Sequence, residues 1–124
     1  MLLVDDQAAV RRSLRSYLES LEIDVVGEAC DGHEALSALD DLRCRGELPD
    51  VVLMDLVMPA MDGVLATGWI TRQHPGIRVI VLTGFGQLER TAAAIANGAE
   101  SCLLKDAPPA EIARAVLDGS ITVP

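Results

Sequence analysis

Aromatic side chains are almost absent from this sequence: one Phe, one Tyr and one Trp in 124 residues, although half of the chain is hydrophobic. The core must therefore be aliphatic, built from Leu, Val, Ile and Ala, a composition that suits a parallel sheet covered by helices. Clusters of Lys and Arg are missing as well. With a net charge of −9, that argues against a nucleic-acid-binding surface in this segment, since phosphate neutralisation needs clustered cations. Acidity of this size suits a domain that meets basic partners or a cation. No apolar run approaches the ~20 residues of a membrane helix, and Met1 leads straight into a strand rather than a signal peptide. Cys30, Cys44 and Cys102 are odd in number and lack C-x-x-C spacing. They predict three buried, reduced thiols in a cytoplasmic protein and speak against a redox or metal motif. The length permits one domain with a sizeable core, not two.

The stretch Val51 to Gly63, VVLMDLVMPAMDG, organises what is present. Four apolar residues end abruptly at Asp55, and a Pro and an Asp-Gly pair follow within eight positions. This predicts a buried strand, an acid at its exit and a loop restarting as a helix capped by Asp62. The pattern repeats along the chain. Leu2 to Val4 predicts a first strand stopping at Asp5 and Asp6. Val10, Leu14, Tyr17, Leu18 and Leu21 recur at helical spacing, with Arg11, Arg12, Arg15 and Glu19 on the other face. Ile23 to Glu28 predicts the second strand, and His33 to Cys44 the second helix. The third helix runs to about Gln73, with two competing apolar stripes: Val64, Thr67 and Ile70, or Leu65 and Trp69. Val79 to Leu82 predicts a fourth strand ending at Thr83. Leu88, Ala92 and Ile95 mark a helix stopped by Asn97-Gly98. Ser101 to Leu104 predicts a fifth strand ending at Lys105, and Pro109 opens a last helix closed by Gly119. Strand and helix thus alternate five times, which implies an α/β fold with one parallel sheet and helices on both faces.

Asp5, Asp6, Asp55, Thr83 and Lys105 each fall at the exit of a strand, so a parallel sheet aligns them along one edge. Should the first and third strands be neighbours where the winding reverses, three carboxylates converge there. Such charges repel; either one is protonated or a divalent cation holds them. Few oxygen ligands at a solvated edge suit Mg²⁺ sharing its shell with a phosphate. Lys105 adds a point charge and Thr83 a hydroxyl, which describes a site for phosphoryl transfer onto Asp55 as nucleophile.

The segments LLVDDQ, MDLVMPAMDG, VIVLTG and GAESCLLKD, in this order and separation, resemble the receiver domain of bacterial response regulators. The wording of GAESCLLKD and VLTG is similar to the LuxR/NarL-type subfamily, whose receivers precede a helix-turn-helix. The resemblance covers essentially the whole chain. It implies a flavodoxin-like, doubly wound sheet of order 2-1-3-4-5 with five helices, a receiver over residues 1–120, and 121–124 as the start of a linker to an output domain. It implies that Asp55 accepts a phosphoryl group from a sensor histidine kinase. Mg²⁺ is then held by Asp6, Asp55 and the backbone carbonyl of Val57, with Asp5 helping through water. Thr83 and Lys105 contact the phosphoryl group, and their movement carries the switch. The partners implied are the kinase, a second copy in a homodimer, and DNA only through the output domain, with no membrane. The module is regulatory, catalysing only its own modification.

Three residues depart from that pattern. Cys102 stands where the family usually has Tyr or Phe, so the loop from Thr83 to Gln87, or Phe85 within it, is expected to become the moving part. Val57 and Phe85 cannot orient a hydrolytic water through a polar side chain, which predicts a long-lived phosphoaspartate. Val57 also stands where aspartyl phosphatases want a second Asp. The competing reading is a receiver-like interaction scaffold that does not switch on phosphorylation. His33 and His74 are expected at the surface, without metal-ligand spacing.

Overall fold

The strands of the sheet owe their burial to strict alternation. A computed structural model describes residues 1–58, 61–84 and 86–118. Within them the elements run β1 (Leu2–Val4), α1 (Ala8–Ser20), β2 (Gly27–Ala29), α2 (Gly32–Cys44), β3 (Val51–Asp55), α3 (Gly63–Gln73), β4 (Arg78–Thr83), α4 (Leu88–Ala96), β5 (Ser101–Leu104) and α5 (Pro109–Asp118). All pairings are parallel, and the order is β2-β1-β3-β4-β5. Because successive side chains point to opposite faces, Leu2, Val4, Val52, Met54, Val79 and Val81 pack with Leu39, Ala66, Ile70 and Ala94 of α2, α3 and α4. Leu3, Val51, Leu53, Ile80 and Leu82 pack with Leu18 of α1 and Ile112 and Val116 of α5. The largest fully buried side chains are all aliphatic or Met, as the scarcity of aromatics required.

The helices begin where the sequence marks them. Asp31 accepts a hydrogen bond from the Glu34 N–H at 2.8 Å, and Glu34 reaches back to the Cys30 N–H at 3.0 Å, a reciprocal arrangement that starts α2 one residue before His33. Asp62 caps α3 by accepting from Leu65 N–H at 3.1 Å. The inward stripe of α3 is Thr67 and Ile70 with Val64 half-buried; Leu65 and Trp69 are exposed. The Thr67 hydroxyl is satisfied inside its helix by the Gly63 carbonyl at 2.6 Å.

Several expectations need correction. β2 is Gly27–Ala29, not Ile23 to Glu28. Its only partner among the described residues, β1, offers three residues for pairing, so Ile23 and Val25 are buried without joining the ladder. The thiols are not all buried: Cys44 is exposed, and Cys30 and Cys102 are half-buried. His74 is buried at 7% exposure rather than at the surface, because the chain folds inward there to bring Ile77 under the sheet. His33 is exposed as expected. Residues 121–124, read as a linker, and Phe85 lie outside the described residues. Among those described, no helix is long and apolar enough to cross a membrane.

Candidate functional site

The register of the sheet sets the site. Val4 pairs with Met54 across β1 and β3, so the residues just beyond, Asp5 and Asp55, lie side by side at the carboxyl rim. Asp55 pairs with Leu82 and Thr83 with Leu104, which brings Thr83 and then Lys105 to the same rim. Hydrogen bonds continue past the strand ends: Asp5 N–H donates to Ala29 O at 3.0 Å, Leu56 N–H to Leu82 O at 2.9 Å, and Lys105 N–H to Thr83 O at 2.7 Å. The rim is therefore a continuation of the ladder, with little freedom to drift. This is the crevice at a topological switch point where open α/β sheets bind ligands.

Lys105, the chain's only lysine, donates through Nζ to Asp55 Oδ2 at 2.9 Å and lies 3.4 Å from Asp5 Oδ2. Asp5, Asp6 and Asp55 each offer a carboxylate oxygen within 4.8 Å of the others. Asp5 and Asp55 are buried, whereas Asp6 is exposed. Asp5 Oδ1 accepts from the Gln7 N–H at 2.8 Å, a local turn that fixes the carboxylate, but Oδ2 is inaccessible and accepts no hydrogen bond. A buried carboxylate oxygen that accepts no hydrogen bond and has the Lys105 ammonium only at 3.4 Å, in a group with two further carboxylates, belongs to the donor set a hard divalent cation requires. The residues present fit a metal.

Burial raises the Asp55 pKa above the ordinary carboxylate value; the hydrogen bond from Lys105 opposes the rise, the charge of Asp5 adds to it, and the Val57 backbone N–H opposes it. Lys105 is desolvated too, but its bond to Asp55 and the charges of Asp55 and Asp5 raise its pKa. The cation thus gains from the arrangement while the central carboxylate is held at a cost. Not every expected residue converges. The Thr83 hydroxyl donates to its neighbour's carbonyl, Gly84 O, at 3.2 Å and accepts from Thr91 at 3.2 Å, so its proton is directed away from Asp55. Val57 is 48% exposed beside the site.

Sequence reasoning missed the support of Asp5. On α1, Arg11 donates to the Asp5 carbonyl at 2.5 Å and to Glu28 Oε1 at 2.9 Å, and Arg15 donates to Glu28 Oε2 at 2.8 Å. These arginines read as a solvated helix face; only the tertiary structure shows Glu28 between them. The Arg15 hydrogen bond, more than that from Arg11, holds the Glu28 carboxyl below its ordinary range against the opposing effect of burial. A depressed pKa contributes stability above the unfolded value of 4.5 that is lost as pH falls through the folded value. Glu28→Gln is expected to cost about 1 kcal/mol near pH 7. Urea unfolding near pH 3 should show a much smaller difference from wild type.

A doubly wound five-stranded sheet with an acidic cluster and a lysine at its switch point is the architecture of a signalling receiver. The model of the response regulator receiver domain matches residues 1–117, and the chain belongs to that family. It is 44% identical over 117 residues to the transcriptional regulatory protein LiaR of Bacillus subtilis, covering 94% of this chain and 53% of LiaR. The signal receiver domain of NarL from Mycobacterium tuberculosis superposes with a TM-score of 0.81 at 34% identity, covering 95% of this chain and 92% of that one. CheY from Borrelia burgdorferi, solved with CheX, BeF3 and Mg²⁺, superposes with a TM-score of 0.82 at 25% identity, covering 93% and 84%. The chain is thus a receiver of the LuxR/NarL type, and it spans about half the length of the curated relatives it matches.

Proposed function

We propose that this receiver takes a phosphoryl group onto Asp55 from a phosphohistidine of a sensor kinase and passes the change to a DNA-binding output. The observation that carries this reading is the Lys105 ammonium 2.9 Å from Asp55 Oδ2 with the Asp5 and Asp6 carboxylates beside it. In the transfer an Asp55 oxygen forms the new P–O bond as the P–N bond of the donor breaks, and the departing imidazole takes a proton. Lys105 offsets charge on the phosphoryl oxygens, and the Thr83 hydroxyl turns from Gly84 O toward them. Asp6, Asp55 and the Val57 carbonyl would hold Mg²⁺, with Asp5 acting through water. When bound, the ion supplies positive charge that lets a phosphoryl group approach three acids. The Mg²⁺ in the CheY complex supports that assignment. An output beyond residues 1–117 is supported by LiaR, a transcriptional regulatory protein of about twice the matched length. Pairing of two receivers would then present two such outputs together.

The test is incubation of the protein with acetyl phosphate and Mg²⁺ followed by intact mass. The expected result is one added phosphoryl group, and none when the cation is chelated before the donor is added. Its decay after the donor is removed should be slow, because the Val57 side chain offers no polar atom to position water. A chain that stays unmodified would favour the scaffold reading.

A further inference from the structure

α4 is weakly held against the rest of the domain. Of its residues only Ala94 is buried; Leu88 is 82% and Ile95 46% exposed. Gln87, which opens the helix, gives the first turn no side-chain hydrogen bond, so its leading N–H groups lack a cap. Polar contacts replace apolar packing. Arg90 pairs with Asp62, the cap of α3, and Asn97 donates to Val64 O at 3.2 Å. The Thr91 hydroxyl donates to Thr83 Oγ1 at 3.2 Å, and the Thr91 carbonyl lies 3.9 Å from the Cys102 thiol. One hydroxyl pair therefore joins the site to a helix held mainly by polar contacts.

We infer that Thr91 is a positioning residue that couples the orientation of Thr83 to α4. This rests on the proposed phosphorylation of Asp55. A threonine hydroxyl has one proton, and that of Thr83 is given to Gly84 O while its oxygen receives the proton of Thr91. To serve a phosphoryl oxygen on Asp55, Thr83 must withdraw its proton from Gly84 O and rotate. The rotation carries Oγ1 away from Thr91, whose half-buried hydroxyl then lacks its acceptor. An unmade hydrogen bond of this kind is costly, so the turn of α4 that bears Thr91 shifts to restore one. With so few buried side chains, that helix is the element best able to respond. In the resting protein the same bond acts as a brake on Thr83.

Removing the hydroxyl without changing shape separates the two roles. Wild type, Thr91→Val and Thr91→Ser are titrated with beryllofluoride in the presence of Mg²⁺ while the α4 amides are followed by NMR. Thr91→Val is expected to half-saturate at about five-fold lower beryllofluoride, as loss of one neutral hydrogen bond from the resting state implies. It should also lose most of the shift change over Ala92 to Ala96. Thr91→Ser should restore both. A lesion that merely loosened the fold would weaken binding, so tighter binding with a silent α4 is specific to coupling. If wild type responds and Thr91→Val behaves identically, or binds more weakly, the coupling role is overturned and the phosphorylation reading stands. If wild type binds no beryllofluoride at the Asp55 site, both fall.

Discussion

Asp55→Asn is expected to take up no phosphoryl group and yet to be more stable than wild type at neutral pH. The loss of uptake follows because an amide oxygen is no nucleophile toward phosphorus and carries no charge for a cation. The gain in stability follows from where the carboxylate is kept: 5% exposed, facing Asp5, with its pKa raised chiefly by burial in spite of the bond from Lys105. A carboxyl whose folded pKa lies above its unfolded value, 3.8, favours the fold in its protonated form. That contribution is fully present below the unfolded value and is lost as pH rises through the folded one. Asn mimics the protonated form at every pH, so its advantage over wild type should be absent in acid and grow with pH. A gain on the order of 1 kcal/mol corresponds to roughly 4 °C in Tm for a domain of this size. Lys105→Met supplies the control of opposite sign. It leaves Asp5 Oδ2 and Asp55 without a cation, and no second lysine exists in the chain to replace it. Its thermal stability in chelator should fall, added Mg²⁺ should recover part of it, and uptake from acetyl phosphate should drop roughly 100-fold. Thermal melts across pH, with and without Mg²⁺, check both variants. An Asp55→Asn protein less stable than wild type at neutral pH would mean that the pair with Lys105 outweighs the burial of Asp55.

The charged residues of the site were legible in the sequence because three strands end in an abrupt change from apolar to charged residues. Leu2 to Val4 stops at Asp5, Val51 to Met54 stops at Asp55, and Ser101 to Leu104 stops at Lys105. A parallel sheet turns those separate stops into one rim, so four strand exits, those of β1, β3, β4 and β5, were enough to assemble the site without any contact being known. Polar contacts between elements left no such trace. Arg11 lies on the polar face of a helix and Glu28 at the end of the expected second strand, with nothing to pair them, and Arg90 and Asp62 are 28 residues apart with no shared period. Thr91 occupies a helix position where any small residue would fit the pattern. The orientation of the Thr83 hydroxyl, set by Gly84 O and the Thr91 hydroxyl, is a rotamer choice, which residue order does not encode. Competing stripes on α3 were resolved by what lies opposite: small residues, Gly63, Ala66, Thr67 and Gly68, form its buried side with Ile70. Close approach outweighed the larger apolar pair of Leu65 and Trp69.

That close approach makes Gly63→Ala the most damaging single methyl addition expected near the site. A Cβ at Gly63 would lie 2.5 Å from the Asp55 carbonyl oxygen and 2.8 Å from the Leu56 Cα, and both are backbone atoms that cannot turn aside. Gly63 N–H also donates to Leu56 O at 2.9 Å, so the first turn of α3 is bonded to the segment it would strike. Relief requires α3 to lift from β3 or the exit of β3 to bend, and either movement displaces the Asp55 carboxylate from Lys105. The expected cost is about 3 kcal/mol, at the upper end for overpacking because no flexible side chain absorbs it. Tm should fall by more than 10 °C, about the shift such a cost brings. Uptake of phosphoryl from acetyl phosphate should fall further than the loss of folded protein explains, when measured at a temperature where circular dichroism shows the variant still folded. Gly76→Ala is the matched control, since a Cβ there meets nothing within 4 Å, and it should leave stability within about 0.5 kcal/mol of wild type. A Gly63→Ala protein that melts and phosphorylates like the control would show that the contact of α3 with the end of β3 does not position Asp55. The placement of Asp55 would then rest on the ladder and on Lys105 alone.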